Sequence, residues 1–283
     1  MVELDQKQID ALASNAYAPA QVEAKAEGAA VTKAGLNPGR CFVLAMFAGA
    51  FIGFGAAFFC LLLGDTTLPF AAQRCLGGLC FCLGLVLVLC CGAELFTGNS
   101  LMVCGLMSKK ITAGGLLKNW VIVWCGNLCG ALLVVLFIFL SKLQAMNGGA
   151  VGDVFVSVAL GKVTLDATTL FFKGIMCNIF VCLAVWIGFA ARSVADKVIG
   201  ILLPIAAFVA MGFEHCVANM FFLFMGLACK SAGFGAALAN VDALNMGGIF
   251  YNLGLATLGN IVGGVIVGLG YWFAYHKREA KSA

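Results

Sequence analysis

Apolar and polar positions fall along this chain in long blocks. Uncharged apolar runs cover Cys41–Gly64, Trp120–Leu140 and Ile249–Tyr275, with a slightly shorter one at Gly174–Ala191. Each matches the roughly 20 residues that carry an α-helix across a bilayer. Two further runs are too long for one helix and are interrupted. Cys75–Met107 is 33 residues long with one charge, Glu94; Val198–Cys229 is 32 residues long with one charged residue, Glu214, beside His215. Polar residues gather near the middle of each, as ELFTGNS and EHCVAN. The pattern predicts an all-α membrane protein of six transmembrane helices, the second and fifth broken. The spans would form one domain, 41–275, between an N-terminal segment 1–40 and a tail 276–283.

The two halves echo one another. Both interruptions fit E-x4-N, as Glu94 to Asn99 and Glu214 to Asn219. The segments that follow share N-x6-G-N-x2-G, with Asn119, Gly126, Asn127 and Gly130 in one and Asn252, Gly259, Asn260 and Gly263 in the other. The chain therefore reads as two copies of helix, broken helix, helix. Three spans per copy invert the second copy relative to the first. Inverted repeats with discontinuous helices mark transporters and channels, with the site at the repeat interface near mid-membrane.

Composition fits this reading and narrows it. The chain of 283 residues is 63% hydrophobic and 11% charged, against about 25% charged in a soluble domain. Placing the termini, Lys109, Lys110, Lys118, Arg192 and Lys197 on one side puts 12 of the 17 Lys and Arg there. The positive-inside rule makes that side cytoplasmic. The polar first 40 residues argue against a cleavable signal peptide; Ile9, Leu12 and Tyr17 among them predict an amphipathic stretch lying on the membrane face. No basic soluble module offers itself to a nucleic acid. The fourteen cysteines lie mostly in apolar runs without zinc-type spacing, and read as small packing residues rather than metal ligands or disulfides. No metal or cofactor is expected.

The interruptions carry the chemistry. Irregular backbone at membrane depth persists only where protein or water satisfies it. A half-helix starting there aims its free N–H groups and positive dipole end inward, and two such ends facing each other favour a small anion. Glu94 and Glu214 are read as bonding the free N–H groups of these loops, and Asn99 and Asn219 as loop staples. His215 is the one mid-membrane side chain able to change charge near neutral pH. An ionisable residue at that depth is a functional candidate by default; the bland alternative is a neutral histidine bonded within a packing core. His276, beside Lys277 and Arg278, reads as solvated tail. Gly49 with Gly53, Gly126 with Gly130 and Gly259 with Gly263 give small-x3-small packing faces.

These residues resemble the formate/nitrite transporter family. AELFTGN (Ala93–Asn99) and GFEHCVANM (Gly212–Met220) are similar to its two helix-breaking loops; KGIMCNIFVCLAVW (Lys173–Trp186) and LGNIVGGVIVGLGYW (Leu258–Trp272) resemble its fourth and sixth helices. The match covers about residues 30–275, in order. The resemblance implies an aquaporin-like protomer in a homopentamer in the cell membrane, conducting small monovalent anions with protons. It places the central histidine on His215, its threonine partner on Thr97, the outer-loop lysine on Lys162 and the pore asparagines on Asn178 and Asn219. It assigns an outer apolar constriction to Phe81, Leu85 and Phe208, an inner slit to Leu95 and Phe96, and a basic vestibule residue to Arg40. Lys173 either snorkels from its helix end or faces the vestibule. Formate is the expected cargo, with nitrite or hydrosulfide as alternatives. A neutral-solute aquaporin is a further reading, against which stands the lack of Asn-Pro-Ala boxes; a membrane enzyme would need a nucleophile–base pair or metal cluster that the interruptions do not supply.

Overall fold

The structure is a computed structural model, and it describes residues 16–65 and 67–276. The described residues are helical throughout, without strands. In chain order the helices are α1 (Pro19–Ala34), α2 (Pro38–Leu63), α3 (Phe70–Cys91), α4 (Phe96–Asn99), α5 (Val103–Met107), α6 (Ala113–Leu140), α7 (Ala150–Val163), α8 (Ala167–Ala190), α9 (Val194–Ala210), α10 (Cys216–Ser231) and α11 (Met246–Tyr275). A 3-10 turn, Ser100–Met102, joins α4 to α5. By length and apolarity α2, α3, α6, α8 and α11 are each able to cross a membrane. The predicted fifth crossing has no single long helix. Its residues are divided between α9 and α10.

Local chemistry sets the helix starts. Asn37 caps α2, its side chain accepting from the Gly39 N–H at 3.0 Å, with Pro38 at the first helical position. Asp166 caps α8 through the Thr169 N–H, and Asn245 caps α11 through the Gly248 N–H. The caps of α2 and α11 lie a turn before the uncharged runs Cys41–Gly64 and Ile249–Tyr275, and that of α8 lies further ahead because Lys173 is accommodated inside the helix. Between elements, glycine lets backbones touch. A Cβ on Gly130 would sit 1.9 Å from the Met46 carbonyl oxygen of α2, and one on Gly263 2.2 Å from the Ile175 carbonyl oxygen of α8. The predicted glycine faces therefore seat α6 on α2 and α11 on α8.

The repeat is longer than the spans. α1 and α7 occupy equivalent places before α2 and α8. Each buries one stripe, Val22, Ala26 and Ala30 on α1 and Val151, Phe155 and Ala159 on α7, and ends at a lysine, Lys33 or Lys162. The shared signal K-x2-L-[N/D] is present as Lys33, Leu36, Asn37 and as Lys162, Leu165, Asp166. Thus α1 does not simply lie on a membrane face: its apolar stripe is buried against the body. Of the residues read as a surface amphipathic stretch, Ile9 and Leu12 lie outside the described residues. The Tyr17 N–H donates to the Ala190 carbonyl at 3.0 Å, and the Lys25 ammonium lies 3.0 Å over the Tyr17 ring.

Candidate transport site

Both helix breaks use the same backbone device. Gly92 follows α3 with φ 79° and Gly212 follows α9 with φ 71°, a left-handed turn that a side chain would strain. Two residues later come Glu94 and Glu214. The extended segments lean on the neighbouring helices, Glu94 N–H on the Leu44 carbonyl and Glu214 N–H on the Lys173 carbonyl, each at 3.2 Å. The half-helices α4 and α10 then begin at equivalent depth.

The carboxylates do not bond the free N–H groups as the sequence reading held. Those are served by asparagine. Asn127 Oδ1 accepts from the Phe96 N–H at 3.0 Å and Asn260 Oδ1 from the Cys216 N–H at 2.8 Å. Their amide nitrogens donate to the Glu94 and Glu214 carbonyls. The carboxylates face lysine and amide donors instead. Lys33 Nζ meets Glu94 Oε1 at 2.7 Å, and Lys162 Nζ meets Glu214 Oε1 at 2.9 Å. Asn99 donates to Glu94 Oε2 and to Asn119 Oδ1; Asn219 donates to Glu214 Oε2 and to Asn252 Oδ1. Asn119 and Asn252 close the circuit on the Lys33 and Lys162 carbonyls. A carboxylate at this depth needs a cation, and a glutamate whose loop amides are already satisfied takes the lysine. The N–H groups at the two breaks are thus less open to a ligand than expected, since Phe96, Cys216 and Ala218 have already spent theirs.

Each half holds a chamber, and the two are laid out alike. The α1-side chamber, about 100 Å³, is lined by Ala29, Lys33, Val88, Leu95, Asn99 and Met102, among others. The α7-side chamber, about 250 Å³, is lined at the equivalent places by Val158, Lys162, Phe208, His215, Asn219 and Phe222. Arg74 and Lys173 also face it, so three cations stand against one carboxylate, Glu214. Lys173 is thus among the residues that border this chamber, and its carbonyl accepts the Glu214 N–H. Lys162 is in the last turn of α7 rather than a loop, with its side chain only 14% exposed.

His215 stands at the floor of the α7-side chamber, 2% exposed. As the N-cap of α10 its Nδ1 accepts the Ala218 N–H at 3.0 Å. The neutral ring then carries its proton on Nε2, which lies 3.0 Å from Thr97 Oγ1 of α4. This contact joins the two half-helices. Phe208 stacks on the imidazole at 5.9 Å and meets Phe81 edge-on at 5.7 Å. Leu85, one helical turn from Phe81 on α3, faces the other chamber with Leu95. Phe81 and Leu85, about 6 Å apart along the helix at 1.5 Å per residue, thus border the two chambers from opposite sides.

Other expected residues stand elsewhere. Phe96 does not share a slit with Leu95: adjacent residues at a helix start diverge, and its ring packs on Trp120 at 6.1 Å, at the outer face. Arg40 is exposed on the first turn of α2 and lines neither chamber; the basic residue in that chamber is Lys33. Asn178 is fully buried, its amide nitrogen donating to the Thr97 and Asn260 carbonyls at 3.2 and 2.6 Å, so it ties the α4 segment to α11. Asn219 staples with its nitrogen, while its Oδ1 is buried without a partner. His276 is no solvated tail: its Nδ1 lies 2.9 Å from Glu27 Oε1 and its ring stacks on Trp272. The reading missed Lys33 and the glycines of G-x-E, although both were visible as repeated letters.

Inverted repeats, paired helix breaks and opposed chambers with apolar residues between them define a membrane transport protein. The family model for the formate/nitrite transporter matches residues 20–273. The formate channel FocA of Escherichia coli (strain K12) is 42% identical over 267 residues, covering 91% of this chain and 94% of that one. The nitrite transporter NirC of Salmonella typhimurium is 36% identical, covering 86% of each. A solved pentameric formate channel with formate bound matches with TM-score 0.76 at 38% identity, covering 85% of this chain and 98% of that one. This chain belongs to the formate/nitrite transporter family and is a multi-pass membrane protein.

Proposed function

We propose that this protein passes small monovalent anions across the cell membrane, formate foremost, with an accompanying proton, as one pore per subunit of a homopentamer with both termini on the cytoplasmic side. The contact that carries this reading is the buried Thr97–His215 pair, which links the half-helix α4 to the His215 that borders the α7-side chamber. An anion gathers in the α7-side chamber, drawn by its excess of cations. It cannot cross the apolar residues between the chambers as an ion without a cost of several kcal/mol. A weak-acid anion escapes that cost by taking a proton and crossing neutral.

The hydrogen bonds bear on where the proton comes from. His215 Nδ1 is held by the Ala218 N–H, and giving up the Nε2 proton from a neutral ring would leave an imidazolate. His215 therefore acts as a donor to Thr97, and through it orients the hydroxyl proton toward the cargo. The proton itself arrives from chamber water. The unpartnered Asn219 Oδ1 supplies an acceptor for the protonated acid.

Formate uptake into proteoliposomes between pH 5 and 8 tests this. His215→Asn keeps an acceptor for the Ala218 N–H but does not reach Thr97, and uptake is expected to fall at least about tenfold, the loss of one hydrogen bond worth about 1.4 kcal/mol in the transition state. Unchanged uptake at every pH would defeat the proposed role of the pair. Water or glycerol passing faster than formate through the unaltered protein would return the aquaporin reading. Nitrite and hydrosulfide in the same vesicles rank the cargoes.

A further inference from the structure

Among the described residues, one group of metal-ligating side chains lies outside the transport path. Glu23 and Glu27, one turn apart on α1, meet His276 just beyond α11, and one possible ligand atom from each lies within 4.8 Å of the others. The two carboxylates are 3% and 2% exposed. Glu27 is fully engaged: Oε1 takes the Ser108 hydroxyl and lies 2.9 Å from His276 Nδ1, and Oε2 takes Lys110 Nζ. Ser108 Oγ in turn accepts the Trp272 indole N–H at 2.8 Å, and Trp272 stacks on the imidazole at 5.2 Å, fixing the ring. Glu23 is different. Its Oε1 is buried and meets no N–H or hydroxyl donor among the described residues, although Glu23 borders the cleft between α1, the α5–α6 turn and His276.

A buried carboxylate oxygen without a donor is an expensive thing to leave alone. Among the described residues the cluster has two carboxylates and one ammonium, with an imidazole nitrogen already turned toward them. We propose that Glu23, Glu27 and His276 bind one divalent transition-metal ion, of the zinc class, on the face where α1, the α5–α6 turn and the end of α11 meet. One imidazole with two carboxylates suits such an ion better than calcium or magnesium, which take oxygen ligands. The ion takes the place of the proton between His276 Nδ1 and Glu27 Oε1 and supplies the partner that Glu23 Oε1 lacks. Lys110 keeps Glu27 Oε2 and competes with the ion for its charge. Bound there, the metal would tie α1, and with it the Ala29–Lys33 wall of one chamber, to the end of α11. The proposal is independent of which solute the chambers pass.

Cobalt(II) titration of the untagged full-length protein in detergent, followed by visible absorption, tests it. One saturable Co²⁺ per chain is expected, with the d–d bands of a four- or five-coordinate site and displacement by Zn²⁺. Glu23→Gln and His276→Gln should each weaken binding at least tenfold, and Lys110→Gln should strengthen it. A spectrum of free hexaaqua cobalt only, affinity within twofold of the unaltered protein in both Glu23→Gln and His276→Gln, or an intense thiolate-to-cobalt band reporting cysteine ligation would each overturn it. If Glu23→Gln fails to fold, His276→Gln, at the end of the described chain, decides alone.

Discussion

Lys33, Glu94, Asn99 and Asn119 in one half of this protein make the bonds that Lys162, Glu214, Asn219 and Asn252 make in the other. The scaffold of a helix break is thus the same twice: a left-handed glycine, a carboxylate on a lysine, an amide staple, and an asparagine from the following long helix holding the first N–H. What differs is what the scaffold presents. Leu95 stands where His215 stands, Val88 where Phe208 stands, Met102 where Phe222 stands. One chamber is small and mostly apolar, with Lys33 in its wall; the other is larger and aromatic, with Lys162, Arg74 and Lys173 among its lining residues. The comparison separates residues that make a break possible, which must appear in both halves, from residues that act on a solute, which need appear in only one. By that test Glu94, Asn99, Glu214 and the nitrogen side of Asn219 belong to the scaffold, and His215 does not.

The strongest way to break the equivalence is to attack it where both halves have no room. Ala at Gly130 or Gly263 drives a methyl into a helix carbonyl at 1.9 or 2.2 Å, and backbone cannot step aside as a side chain can. Overpacking costs about 1–3 kcal/mol where side chains can adjust, so both variants should exceed about 3 kcal/mol and yield little monodisperse protein on size-exclusion chromatography. If one is tolerated and the other not, the α2–α6 and α8–α11 seats are not equivalent.

Next in size are the two ion pairs. Replacing Glu214 with Gln leaves the Lys162 ammonium largely buried and faces amide donors with a weaker acceptor, a loss of about 3 kcal/mol. Replacing Glu94 should cost less, because Lys33 is more exposed, 23% against 14% for its counterpart, and finds water. Thermal unfolding in one detergent should therefore place Glu214→Gln below Glu94→Gln, and both below the unaltered protein. The reverse order would mean that solvent access does not govern these pairs.

The difference between the halves also explains what could be read from letters alone. The breaks were legible because hydrocarbon makes every polar residue conspicuous, and a single glutamate in a run of 33 otherwise uncharged residues must be either held by the structure or used by the function. The N-x6-G-N-x2-G repeat was legible because close backbone approach admits only glycine and one satisfied amide. α1 was not, since it is neither long nor apolar enough to stand out, and Lys33 in a polar segment looks like any solvated lysine. Only its inverted partner, Lys162 at the end of α7, gives it meaning. The resemblance put Phe96 beside Leu95 in a slit, but adjacent residues at a helix start diverge, and the Phe96 ring packs on Trp120 instead. His276 was misread because nothing in its neighbours, Lys277 and Arg278, announces a carboxylate 249 positions away at Glu27.

The smallest effect sharpens the comparison at its weakest point, the basic residue of the α1-side chamber. The resemblance put that residue at Arg40, and the structure puts Lys33 there. Arg40 is exposed on the first turn of α2, outside both chambers, so Arg40→Gln should change formate uptake less than twofold and stability within about 0.5 kcal/mol, as surface changes do. Lys33→Gln removes the cation from the chamber wall and the partner from Glu94. Glu94 keeps its bond from Asn99 and sits near solvent through the space the lysine leaves, so folding should survive while uptake falls a few-fold. The same pair of variants, assayed from both sides of the vesicle, separates attraction from architecture: a charge acting as an attractor loses its effect in high salt, since the Debye length shrinks to about 3 Å at 1 M, whereas a charge acting as a brace does not. If Lys33→Gln and the unaltered protein differ as much in high salt as in low, the lysine of this half is scaffold like the rest of its half, and attraction of the solute is left to the α7 side alone.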